Sequence, residues 1–239
     1  MRRLLWILLA GALGFGVAQW RAQGRSIWSK AAPGLELRTW RAPLKGGAVQ
    51  VIALRTSPSH VHIATGARLA AANWRSREAA LMAVNGGFFD ADGFSLGLRI
   101  AKGQRVSRLH SNKGGVFYVR DGQAHIVPTT DFQMHPDIRE AVQCGPRLVV
   151  NGQTTTLKSQ WARRTGIGIQ RDGRVIIAVA DGEMSFQDWA NLWASRSGLN
   201  CFNALNLDGG SSTQLSLKTP QSHLEIPGGR LVPDSVVIR

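Results

Sequence analysis

The chain has 239 residues, of which 44% are hydrophobic and 18% charged, enough apolar content for one ordinary core and too little polar tract for disorder. Its net charge is +14, from 29 Lys plus Arg against 15 Asp plus Glu, so the chain is drawn to anions. The basic residues are scattered singly (Arg38, Arg41, Arg55, Arg68, Arg75, Arg77 among them). No zinc-finger spacing, basic heptad helix or RNA-binding aromatic signature accompanies them, which excludes the nucleic-acid modules. A soluble basic surface and steering of an anionic ligand are both compatible with this balance.

Residues 1–24 open with Arg2 and Arg3, followed by an unbroken apolar run from Leu4 to Ala18. As a helix that run spans roughly 22 Å, short for a bilayer core of about 30 Å. It therefore reads as a signal-peptide core, with small residues at Gly16 and Ala18. Trp20 and Arg21 give the competing reading, an uncleaved membrane anchor. Both imply export, to the periplasm or to the periplasmic side of the inner membrane, with residues 25–239 forming the domain. Cys144 and Cys201 would then meet an oxidising compartment. A bridge between them would add about 3–4 kcal/mol by the chain-entropy model, and two buried thiols are the alternative.

Leu35–Trp40, Val49–Arg55 and Val61–Thr65 alternate or are β-branched and are predicted strands. A helix is predicted over Ala70–Leu81, followed by a short buried strand, Leu81–Asn85, that runs into Gly86-Gly87. Further strands are expected at Leu96–Ala101, Gly115–Arg120, Ala124–Val127, Arg147–Val150, Gly166–Gln170 and Val175–Ala180. Asp121-Gly122, Asn151-Gly152 and Asp172-Gly173 supply hairpin turns. Ser185–Ser197 is a predicted helix, with Ser185 as N-cap, Asp188 completing a capping-box variant and Gly198 as C-cap. Ala204–Leu207, Gln214–Leu217 and Val232–Ile238 complete the strands. Without βαβ alternation or a repeat period, the prediction is a single α+β domain with a mixed or mainly antiparallel sheet and two or three helices.

Three segments place polar residues beside small ones at strand ends. In Asn85-Gly86-Gly87-Phe88-Phe89, the glycines are expected to turn their N–H groups towards a ligand, and the phenylalanines offer either a sugar platform or core. In Asp208-Gly209-Gly210-Ser211-Ser212, a carboxylate meets a loop that can form an anion nest or simply an Asp-Gly turn. Arg147 and Arg164 are planar forks suited to phosphate, and Asp181 is a second strand-end carboxylate. No His/Cys cluster has transition-metal spacing; a Ca2+ or Mg2+ on Asp208 or Asp181 stays open. No G-x-S-x-G elbow supports an acyl hydrolase at Ser211 or Ser212.

The ordered series N-G-G-F-F, S-L-G-L-R-I, C-G-P-R-L-V-V-N-G, R-T-G-I-G, A-D-G and N-L-D-G-G-S-S resembles the phosphodiester glycosidase family, whose animal member removes N-acetylglucosamine from a phosphodiester. The resemblance runs from about Val49 to Ile238. It implies a hydrolase acting on a phosphorylated carbohydrate or glycolipid, with no cofactor. Asn85, Gly86, Arg164, Asp181, Asp208 and Gly209 are then in or near the cleft. On this reading Asp208, Asp181 and Asn85 are catalytic. Arg164, Arg147, Thr165, Gly86, Gly87, Gly209, Gly210 and Ser211 bind substrate. Two positions depart from the pattern: Ser211 stands where many relatives carry a third glycine, and Cys144 where Ser is common. A non-catalytic envelope protein that binds anionic glycans in the same cleft is the alternative.

Overall fold

The computed structural model describes residues 27–45, 47–111 and 114–239, so the signal or anchor segment lies outside the described residues. The elements run β1 (Ser29–Ala32), β2 (Leu35–Leu44), β3 (Gly47–Thr56), β4 (Val61–Leu69), α1 (Ala71–Arg77), β5 (Met82–Asn85), β6 (Arg99–Ala101), β7 (Gln104–Ser107), β8 (Gly115–Arg120) and β9 (Gln123–Pro128). The second half continues with β10 (Ile138–Cys144), β11 (Arg147–Val150), β12 (Gln153–Thr154), β13 (Trp161–Gln170), β14 (Val175–Ser185), α2 (Phe186–Ala194), β15 (Cys201–Asn206), β16 (Leu215–Lys218), β17 (His223–Ile226) and β18 (Val232–Ile238).

The strands form an eight-stranded sheet ordered β1-β2-β3-β14-β13-β15-β11-β12 and two five-stranded sheets, β7-β6-β10-β8-β9 and β17-β16-β5-β18-β4. The paired strands are antiparallel, as in β13 with β14 and with β15, and the domain is α+β and mainly β, as the sequence predicts. Alternation builds two cores from the large sheet. Ile52, Leu54, Ile167, Ile177 and Leu205 face a central core shared with Val84, Phe117, Val142 and Val236. Val51, Ala53, Ile176, Ala178 and Ala204 face the other way, against Trp189 and Trp193 of α2. Strand β14 is buried on both faces, which is why Val175–Ala180 reads as an unbroken apolar run.

Helix α2 starts where predicted: Asp188 donates its N–H to the Ser185 side chain at 3.1 Å. Its Trp193 lies so close to β13 that a Cβ on Gly166 or Gly168 would meet the indole at 2.8 or 2.7 Å. The helix ends earlier than predicted, at Ala194. Ser195 turns to extended backbone, and Gly198 is not the C-cap: it passes the helix end so closely that a Cβ would lie 2.1 Å from the Leu192 carbonyl. Helix α1 is likewise shorter than Ala70–Leu81, because Ala79 takes a left-handed φ of 48° and turns the chain into β5.

Strand β10 escapes the sequence reading. Its Glu140 and Gln143 break the apolar pattern yet are buried, each satisfied from inside. Glu140 accepts from Ile63 N–H at 2.8 Å; Gln143 Oε1 accepts from Leu98 and His110 N–H, both at 2.9 Å. The two cysteines are free thiols in different cores, Cys144 in the central one and Cys201 in the one under α2. Among the described residues no helix is long and apolar enough to cross a membrane.

Candidate active site

Strands β5 and β15 end side by side, and the two glycine turns that follow are joined. Asp208 donates its N–H to the Gly86 carbonyl at 3.1 Å. Asn85 is fully buried between them: its Nδ2 donates to the Asp208 carbonyl at 2.7 Å, and its Oδ1 accepts from Thr165 Oγ1 at 2.7 Å and Gln214 N–H at 3.3 Å. Asn85 and Thr165 therefore hold the Asp208 turn in place. The expectation that they meet the substrate themselves is corrected, since both side chains are sealed from solvent.

The Gly86-Gly87 turn also differs from expectation. Its N–H groups do not face a ligand; Gly86 donates to the Asp234 carbonyl at 3.0 Å and Gly87 to Asp234 Oδ1 at 2.9 Å. Asp234 in turn pairs with Arg99 at 3.0 Å, both side chains at most 1% exposed, and accepts from Ser95 Oγ at 3.1 Å. Arg99 reaches the carbonyls of Leu98, Gln143 and Phe88. The glycines are required because their backbone lies directly on this pair: a Cβ on Gly86 would stand 1.8 Å from Asp234 Oδ1, and one on Gly87 2.3 Å from Arg99 Nη2.

On this base the Asp208 carboxylate is half-buried. Gly209 N–H donates to its Oδ1 at 2.9 Å, and the Ser212 hydroxyl is a second donor. Burial pushes the carboxyl above the ordinary aspartate range, and the buried Asp234 charge adds to that. Ser212, the Gly209 N–H and the Arg230 guanidinium offset part of the rise. Gly210 takes a left-handed φ of 61°, and Gly209 lies against the Arg163 carbonyl. A loop over residues 227–230 closes on the exposed Ser211, with Gly229 N–H on the Ser211 carbonyl at 2.7 Å. Gln214 Nε2 holds the Arg230 carbonyl at 3.1 Å, and the Arg230 guanidinium lies 5.2 Å from the centre of the Phe89 ring.

The pleat decides between the adjacent arginines of β13. Arg164 points to the α2 side with Gly166, away from Thr165. It is 3% exposed, stacks 3.5 Å over Phe186 and donates to the carbonyls of Met184 and Gln160. Burial lowers its pKa to about 10. The expected phosphate fork is thus a structural arginine. Arg163 instead pairs with Asp181 at 2.9 Å and donates to the Pro227 carbonyl at 3.1 Å, which ties Asp181 to the loop over Ser211. Asp181 is half exposed, and its partner is this arginine, not Asp208. Arg147 stands on β11 with its stem against Gly115.

A cavity of about 380 Å3 is lined by Phe88, Gly114, Cys144, Gly145, Pro146, Gln160 and Phe186. Its Cys144 thiol is pushed up to about 12 by burial and feels the charges of Arg99 and Asp208. A larger open cavity of about 910 Å3, near Trp28, Arg38 and Ser197, contains none of the residues around Asp208. Among the described residues no group of three or more His, Cys, Asp or Glu is arranged to hold a metal ion. Sequence reasoning missed Asp234, Arg99, Arg230 and the role of Ser212. The Gly228-Gly229-Arg230 run repeats the glycine-plus-polar signal and was the available pointer to Arg230.

Fold and site together define an antiparallel β domain with one half-buried carboxylate set between two joined glycine turns. The phosphodiester glycosidase family profile matches residues 78–239, and the chain belongs to that family. The uncharacterized protein YigE of Escherichia coli K12 is 32% identical over 141 residues, 54% of this chain and 55% of that protein, so the match spans about half the length of that curated relative. The catalytic domain of zebrafish N-acetylglucosamine-1-phosphodiester alpha-N-acetylglucosaminidase superposes with a TM-score of 0.73 at 18% identity, over 88% of this chain and 85% of that one. A hypothetical protein from Synechocystis gives 0.60 at 16% identity, over 87% and 63%. At such identities the two structures speak to the fold.

Proposed function

We propose that this chain hydrolyses the bond between the anomeric carbon of a sugar and a phosphodiester phosphate, in the cleft at Asp208. The observation that carries the reading is the Asp208 carboxylate: half-buried, raised in pKa, held by Gly209 and Ser212, and beside the Arg230 guanidinium. Such a bond breaks through an oxocarbenium-like transition state. The leaving phosphomonoester is a weak base, so the site must chiefly stabilise its charge and supply a carboxylate at the anomeric carbon. Arg230, exposed at the cleft, takes the phosphate, with Arg163 beyond it held by Asp181. Asp208 acts as nucleophile or as base for water. Either role needs the ionised form, so turnover rises with pH through its raised pKa. Asn85, Thr165 and the Asp234–Arg99 pair are positioning residues, while Ser211 and the Gly209-Gly210 backbone line the sugar side.

The test is a panel of sugar 1-phosphodiesters incubated with the full chain and its Asp208→Asn variant, scoring released sugar and phosphomonoester. Release by the parent alone is expected; a folded variant with undiminished turnover would remove Asp208 from the mechanism. Export is proposed from residues 1–24, and a reporter active only in the periplasm, fused after Gly24, tests it.

A further inference from the structure

Near Phe88, Phe89 and Arg230 the fold leaves large apolar side chains uncovered. Phe94 is 71% exposed, Leu231 50%, Leu96 41% and Leu109 40%. The segment carrying Phe94 and Leu96 is tied to Phe88, Phe89 and Asp234, and the other two follow or precede anchored residues. Leu96 donates its N–H to the Phe88 carbonyl at 2.8 Å, and Ser95, between Phe94 and Leu96, bridges to Phe89 and bonds Asp234. Leu231 follows Arg230, whose guanidinium covers Phe89. Leu109 precedes His110, whose N–H donates to Gln143 beside Cys144.

The charges around them are mainly basic. Arg68 lies against Gly93, and Arg105, Arg108 and Arg230 are exposed. The acids of the same loop are Asp90, which accepts the Phe94 N–H at 2.8 Å, and the exposed Asp92. Protruding apolar side chains set among arginines are the composition of a surface that seats at an anionic lipid interface, where the apolar groups enter the acyl boundary and the cations meet headgroup phosphates. The chain's +14 charge acts in the same direction.

We infer that the cleft mouth docks on an anionic bilayer, and that the substrate is a lipid-borne sugar phosphodiester whose lipid stays in the membrane while its phosphate reaches Arg230. The substrate half of this inference rests on the glycosidase reading above; the docking half does not.

The test uses the full chain reconstituted into phosphatidylcholine vesicles with and without phosphatidylglycerol. An environment-sensitive fluorophore is placed on Phe94→Cys, on Leu231→Cys, or on Gln153→Cys. Gln153 lies by the turn that bonds Phe202, at the far end of the strand leading to Asp208. Both native thiols are buried, so labelling is confined to the introduced site. On anionic vesicles the labels at 94 and 231 should shift to the blue and be quenched by a lipid-borne quencher, while the label at 153 stays in water. Arg105→Glu with Arg108→Glu should remove the shift although the N-terminal run remains. Mouth labels that stay in water, or three labels that respond alike, overturn the docking. Turnover is not the readout, so failure of the glycosidase reading is a separate result. Mouth labels that do shift on anionic vesicles, with a lipid-borne sugar phosphodiester in those vesicles cleaved no faster than its water-soluble counterpart, would sink the lipid-borne substrate alone.

Discussion

Replacing Asp234 with Ala tests the base of the site. The change deletes the acceptor of the Gly87 N–H and the Ser95 hydroxyl and leaves the fully buried Arg99 without its counter-charge. Removing one partner of a buried ion pair costs about 3–5 kcal/mol, because the remaining charge keeps its desolvation cost. For a domain of this size each kcal/mol lowers Tm by about 2–4 °C, so a fall of roughly 6–20 °C is expected. Urea unfolding of parent, Asp234→Ala, Arg99→Met and the double variant gives the coupling directly. The double variant should lose less than the sum of the singles by about 1–3 kcal/mol. Activity should fall with stability, since the Gly86 carbonyl that accepts the Asp208 N–H rides on the same turn. A loss below about 1 kcal/mol for Asp234→Ala, within the range of unremarkable substitutions, would refute the claim that this pair supports the turn.

Asp208→Asn should abolish turnover and raise stability relative to the parent as pH increases. The folded pKa of Asp208 lies above its reference of 3.8, so its contribution to stability is present below that value and lost as pH rises through the folded pKa. Thermal melts of both proteins across that range check it, and a gap that widens towards acid would contradict the assignment. Gly168→Ala drives a Cβ into Trp193 and should cost about 1–3 kcal/mol in chemical unfolding, with activity per folded molecule retained. Ser185→Ala removes the α2 cap and should cost about 1 kcal/mol. Arg164→Met should lower stability, while Arg230→Met should reduce turnover with the fold intact; the reverse outcome would restore Arg164 as the phosphate fork. With its pKa at about 12 and its side chain buried, Cys144 should react with a thiol reagent at pH 8 only on unfolding.

Wherever a segment's own pattern carried its burial, the sequence was readable. The β-branched runs of β3 and β14, the Asp-Gly and Asn-Gly hairpins, the Ser185 and Asp188 cap and the strand-end Asp208 all announce themselves locally. Strand β10 did not, because Glu140 and Gln143 point inward and take partners far along the chain, so its alternation vanishes from the sequence. The ordered glycine and aspartate motifs were enough to place the chain in its family.

What the sequence alone determined is therefore the class of fold and the family, with Asp208 at a strand end before a glycine turn. Which residues pack around that turn was decided by tertiary structure. Asn85, Gly86 and Gly87 looked like ligand contacts, yet the approach of Asp234, nearly 150 residues away, engages the turn's N–H groups from beneath. Arg163 and Arg164 are equivalent as letters, and only the pleat of β13 sends one towards Asp181 and buries the other on Phe186. Hydrogen bonds and ion pairs between distant strands depend on register and on which face a side chain takes, and neither is written in the local composition.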